Sequence, residues 1–202
     1  AMVELKYVRK SDTTKIKKEL ANDFVDYPGY ETLDPPDMET YSKALNGAQF
    51  PLSVLAVTEH AAKLYRKGVY GNTMTTNPRA LDVACATLAQ LTPQVRENIR
   101  KRGVEAVQKL QQLQADLGGL ITNVQGTGLL FSCELSPAFK CYGTGSTEEW
   151  LRQQGLNVIH GGANSLRFTP HFAMDSEELD LLVAMVGKAL REGPRISQAA
   201  AA

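Results

Sequence analysis

At 202 residues the chain is long enough for one or two domains with a buried core, and its 43% apolar and 22% charged content is that of an ordinary globular protein. Twenty-two Lys and Arg balance 22 Asp and Glu, which removes the electrostatic footprint of a nucleic-acid or anionic-membrane binder. No apolar run reaches the roughly 20 residues of a spanning helix, and the first residues are too charged for a secretory signal.

The three cysteines, Cys85, Cys133 and Cys141, form no CxxC pair. Cys85 falls on the apolar face of a helical pattern and Cys133 in a strand pattern. Buried, reduced thiols are therefore expected, and with them a cytoplasmic protein.

Residues 3–30 are polar, with a short helix expected over Lys15 to Ala21 and a turn at Tyr27-Pro28-Gly29-Tyr30. Asp34-Pro35-Pro36-Asp37 is a stiff loop, because each proline holds its predecessor extended. Met38 to Tyr41 alternates as a short strand that leads to Lys43. Pro51 to Val57 is nearly continuous in apolar residues, the pattern of a buried strand in an α/β sheet.

A helix is expected from Thr58 to about Lys67. After the polar turn Tyr70-Gly71-Asn72-Thr73-Met74-Thr75-Thr76-Asn77, Pro78 sits where a first helical residue is favoured. Leu81, Ala84, Cys85, Leu88 and Leu91 then recur at helical period. Thr92-Pro93 restarts the helix, and the stripe runs through Val95, Ile99, Val104, Val107, Leu110, Leu113 and Leu117 to Gly118-Gly119, which stops it.

The last third alternates short strands and helices, an α+β unit. Strands are expected at Leu120–Val124, Leu129–Leu135, Asn157–His160 and Ser165–Phe168. A helix over 147–154 takes Thr147 as its N-cap, and Asp175-Ser176-Glu177-Glu178 opens a final helix through Leu190. Arg96, Arg100, Lys101 and Arg102, interleaved with Glu97 and Glu105, read as a solvated helix face. Trp150 reads as core. His160, before Gly161-Gly162, and His171, after Pro170, could approach each other across the last strand pair, but a metal site would still need acidic or thiolate partners at suitable spacing.

The chemistry concentrates at Lys43. A lysine amine forms an imine with a carbonyl cofactor when it is neutral, oriented and shielded from water. Taken alone, any lysine is most simply a surface charge. The order of four blocks changes that balance. Ser42-Lys43-Ala44-Leu45, then Gly47, Phe50-Pro51 and an apolar strand, resembles the lysine segment of the class III, ornithine/4-aminobutyrate-type aminotransferases. Gly71-Asn72-Thr73 with Asn77-Pro78 resembles their phosphate turn, and Gly155–Ile159 with Ser165–Pro170 their C-terminal strand pair.

The resemblance runs from about Asp34 to Leu190. It implies an α/β fold: the C-terminal part of a pyridoxal 5'-phosphate (PLP) fold-type I aminotransferase. Residues 34–91 would end the PLP-binding large domain, 92–118 form a long linking helix and 119–191 a small α+β domain. Residues 1–33 would be a polar segment, and 192–202 a disordered or cloning-derived tail. The resemblance further implies Lys43 as the catalytic, PLP-bound lysine, and Asn72 and Thr73 as cofactor-binding residues, with Thr73 serving the phosphate of the partner subunit in a homodimer. It places Arg167 at the substrate carboxylate, with an amino donor and a keto acid as substrates.

Departures from the pattern are visible. Gly47-Ala48 stands where two glycines are usual, and Met74-Thr75-Thr76 where an aromatic and two glycines are usual. The aspartate at the pyridine nitrogen, the Gly-rich phosphate loop and the ring-stacking aromatic belong upstream of Lys43 and are not found in residues 1–30. The isolated chain is accordingly expected to bind PLP weakly and not to transaminate, acting as part of a larger or complemented enzyme. A non-catalytic dimerisation module on the same fold, or a PLP-dependent aminomutase or epimerase, is the alternative.

Overall fold

A computed structural model of the chain describes residues 36–68 and 77–196, and these fall into two compact units that part between Gln94 and Val95. The expected helix over Lys15 to Ala21, the Tyr70–Thr76 turn and the alanine tail lie outside the described residues.

In the first unit β1 (Met38–Ser42) and β2 (Ser53–Val57) pair antiparallel in unbroken register, Met38 opposite Val57 and Ser42 opposite Ser53. A 310 turn over Lys43–Asn46 begins the connection between them. Helix α1 is only Glu59–Ala62, shorter than the stretch to Lys67 that the sequence suggests. Its N-cap Thr58 accepts from the Ala61 amide at 3.2 Å and donates its hydroxyl to Asp37 Oδ1 at 3.1 Å. Helix α2 (Pro78–Ala89) starts on Asn77, whose side chain caps the Arg79 amide at 3.1 Å, with Pro78 at its first position. The buried side of α2 is made of small residues, Ala80 and Ala84, and α2 packs on the 310 turn, where Leu45 and Asn46 are buried. Small residues on a helix let backbones approach closely.

The expectation of a buried β2 is corrected. Val54, Leu55 and Val57 are 38%, 55% and 43% exposed. Among the described residues β2 pairs with β1 alone, and a two-stranded ribbon leaves both faces open however apolar its sequence.

The second unit carries a four-stranded antiparallel sheet in the order β3-β4-β6-β5, made of Ile121–Thr127, Leu130–Leu135, Ser165–Phe168 and Ile159–Gly161. Alternation assigns its faces: Phe131, Cys133 and Leu135 of β4 and Leu166 and Phe168 of β6 are buried, while their neighbours are not. The rings of Phe131 and Phe168, opposite each other in register, stack at 5.2 Å and 21°. Helix α3 (Pro93–Asp116) contributes Ala106, Val107, Leu110 and Leu113 to the core. It comes so close to the β3–β4 turn that a Cβ at Gly103 would lie 2.4 Å from the Gly128 carbonyl oxygen.

Helix α4 (Thr147–Gln153) is capped by Ser146, which accepts from the Glu149 amide at 3.2 Å; Thr147, expected as the cap, is its first residue. Helix α5 (Ser176–Glu192) opens with the full Asp175/Glu178 capping box and buries Leu179, Leu182, Val186 and Leu190. Asn164, in the β5–β6 turn, latches the loop after β4: its amide donates toward the Leu135, Ser136 and Phe139 carbonyls and its oxygen accepts from Cys141 N–H at 2.9 Å. No described helix is long and apolar enough to cross a membrane.

Candidate active site

Lys43 is the first residue of the 310 turn, directly after β1, so the hairpin fixes where its backbone stands. Its φ is 56°, a left-handed value uncommon for a residue with a Cβ. Ala48 repeats the strain at φ 58°, and Gly47 takes φ 63° at little cost. In a regular 310 turn residues three apart share a face. Here Lys43 is exposed whereas Asn46 is wholly buried, and the left-handed backbone at Lys43 is where the regular turn breaks. The Lys43 amine has no hydrogen bond or ion pair among the described residues, so it is available to a carbonyl group. An imine-forming lysine must also be shielded from water, and in the described residues nothing covers Lys43. The other expected cofactor residues, Asn72 and Thr73, lie outside the described residues.

Arg167 belongs to the second unit, on β6, opposite Ser132 on one side and Ile159 on the other. Its side chain is exposed and has no ion pair among the described residues, so a structural salt bridge does not account for it. Gly161 lies beside its stem, where a Cβ would make an ordinary contact 3.6 Å from Arg167 Cβ. Arg167 lines an open cleft of about 550 Å³ with Arg152, Ile159, Pro170, Leu181 and Met185. Of the two guanidinium groups, Arg152 is paired with Glu148, and Glu178 also lines the cleft, so Arg167 is the one that can meet a ligand carboxylate. Lys43 and Arg167 thus fall in different units.

Several sequence readings resolve differently. His160 and His171 have separate partners: His160 Nδ1 lies 3.1 Å from Glu148 Oε2 and its ring meets Tyr142 at 3.9 Å, while His171 Nε2 lies 3.4 Å from Glu178. Glu148 is buried and also pairs with Arg152 at 2.5 Å. Arg102 departs from the solvated face: it is 9% exposed and paired with Glu105, because its helical position turns it toward the core side of α3. Trp150 is half-buried under Lys188, whose amine stands 6.0 Å from the ring. Cys133 and Cys141 are buried as expected, but Cys85 is exposed, since only Ala80 and Ala84 of its helix are covered.

The sequence did not single out Asn46 or Glu148 as special. For Asn46 a signal existed, an Asn-Gly step ending a short turn, which marks left-handed backbone rather than burial. For Glu148 the only trace is its spacing four residues before Arg152.

The order and geometry of these segments match a known family. The model for aminotransferase class-III covers residues 29–190, and the chain belongs to that family. An acetylornithine/succinyldiaminopimelate aminotransferase of Yersinia pestis is 32% identical over 159 residues, which are 77% of this chain and 38% of that protein. An acetylornithine aminotransferase of Neisseria meningitidis is 32% identical over 148 residues, 71% of this chain and 36% of that one. Among solved structures, the acetylornithine aminotransferase of Elizabethkingia anophelis superposes with a TM-score of 0.69 at 26% identity, over 79% of this chain and 42% of that one. The ornithine δ-aminotransferase of Plasmodium falciparum shares the fold, with a TM-score of 0.72 at 22% identity over 80% of this chain. The architecture is the α/β one of PLP fold-type I aminotransferases, and PLP is the cofactor of the family. The chain spans well under half the length of these relatives.

Proposed function

We propose that the chain supplies the lysine-bearing and C-terminal part of a PLP-dependent transaminase that moves an amino group from an ornithine-like or acetylated ornithine-like donor to a keto acid. The observation that carries this reading is the place of Lys43 in a chain of the class III family: it begins a strained turn directly after a strand, and its amine has no partner among the described residues. PLP, when bound, supplies the carbonyl and the electron sink. Lys43 Nζ would hold the cofactor and would carry the proton between substrate Cα and the cofactor's C4′. Asn72 and Thr73 offer amide and hydroxyl donors to the phosphate, in a homodimer across the subunit boundary. Arg167 grips the substrate carboxylate with paired N–H groups. The aspartate, phosphate loop and stacking aromatic of the family would have to be supplied to these segments for turnover.

The test is amino transfer by this chain joined to, or co-expressed with, a segment carrying those elements. Lys43→Ala is expected to lower turnover by at least about a thousandfold, and retained turnover contradicts the reading. Arg167→Lys, which keeps the charge but not the planar fork, is expected to raise KM for the carboxylate substrate about tenfold with little change in kcat. An unchanged KM removes Arg167 from the site.

A further inference from the structure

Asn46 is a polar side chain with no solvent exposure at all, in the turn that carries Lys43. Its amide nitrogen donates to the Phe50 carbonyl at 3.0 Å, across four residues and past both Gly47 and Ala48. Its own carbonyl accepts from the Gln49 amide at 3.3 Å, and the Gly47 amide bonds to Ala44 O at 3.0 Å. The side-chain oxygen, by contrast, is buried with no partner among the described residues. An orphaned buried acceptor is costly, and so are two left-handed residues that carry a Cβ. Strain of this kind persists only where neighbouring contacts over-determine the backbone. The contact that spans Gly47 and the strained Ala48 from the buried side is Asn46 to Phe50. The other side-chain bond in the loop, Gln49 Nε2 to the Gly47 carbonyl at 3.3 Å, is exposed.

We infer that Asn46 is the positioning residue of the lysine loop: its amide clamp on Phe50 holds the left-handed backbone at Gly47 and Ala48, and so anchors the end of the turn that begins at Lys43. The inference rests on the reading of Lys43 as the PLP lysine. Asn46 touches no reacting atom and acts through the backbone of residues 43–50. Because Ala48 stores strain in that loop, glycine at 48 reaches the same φ without penalty and lightens the load on the clamp.

The test compares the 202-residue chain with Asn46→Ala and with Asn46→Ala/Ala48→Gly. Asn46→Asp, the same shape without the donor, serves if the alanine variant loses its fold. One measurement is amide exchange at Gly47 and Gln49; the other is PLP fixed by borohydride, with the fraction of label on Lys43 read by peptide mass mapping. Loss of the clamp is expected to speed exchange about fivefold and to lower the Lys43 fraction about fivefold, with the double variant recovering part of both. Unchanged exchange overturns the inference, whatever the label does. Faster exchange with an undiminished Lys43 fraction also overturns it, leaving Asn46 a merely structural residue. Faster exchange in the variants, with no preference for Lys43 even in the parent chain, overturns the cofactor reading of Lys43 and with it the purpose of the clamp.

Discussion

Cys133 and Cys141 are buried, and both thiols are pushed up to about 12, by burial first and then by their neighbours, Cys141 for the one and Glu148 for the other. Cys85 is exposed. Thiolate is the reactive form, so near neutral pH a disulfide dye should titrate one thiol rapidly in the folded chain and three in denaturant. Two or more fast thiols would mean that the second unit opens far more readily than its packing suggests. Lys43 and Arg167 were singled out by the order of four blocks and the resemblance those blocks carry, since residue type alone marks any lysine or arginine as a surface charge. It did not reveal Asn46, whose importance is burial inside a turn. Nor did it show that Cys85 would be exposed, because the helical period marks an apolar face without saying how much of that face is covered.

At the scale of elements, α3 and α5 are joined by one charged network. Glu105 pairs with Lys109 at 2.7 Å and with Arg102, accepts from the Ser176 hydroxyl, and Lys109 in turn pairs with Asp180. Burial pushes the Glu105 carboxyl up, but the bonds from Lys109 and Ser176 and the charges of Lys109 and Arg102 outweigh it and hold it below its ordinary 4.5. A carboxylate with a depressed folded value stabilises the fold above the unfolded value and loses that contribution as pH falls through the depressed one. The Tm should therefore fall as pH drops below about 4.5, and Glu105→Gln should flatten that slope. At neutral pH the same variant should cost about 1–3 kcal/mol by leaving Arg102 buried without its partner. An acid slope unchanged in Glu105→Gln would assign it elsewhere. The long helix and the capping box at Asp175 were legible in sequence because period and cap are local signals. The open faces of β2 were not, since an apolar run is silent about how many strands lie beside it.

At the scale of the whole molecule, the described chain gives two units, with Lys43 in one and Arg167 in the other, within a chain that covers 36–42% of the relatives compared. Val54, Leu55 and Val57 of β2 and Leu81 and Leu88 of α2 are exposed apolar residues of the first unit. Fold class and chain order were readable from four spaced blocks, whereas the division between Gln94 and Val95 depends on how α3 packs beneath the second sheet. The central claim is that Lys43 is the lysine that holds PLP. It is tested most directly by incubating the purified chain with PLP, reducing with borohydride and mapping the labelled peptides. Label concentrated on Lys43, and lost from that peptide in Lys43→Ala, is the predicted result. Label scattered over the other lysines in proportion to their exposure, or no label at all, would contradict it.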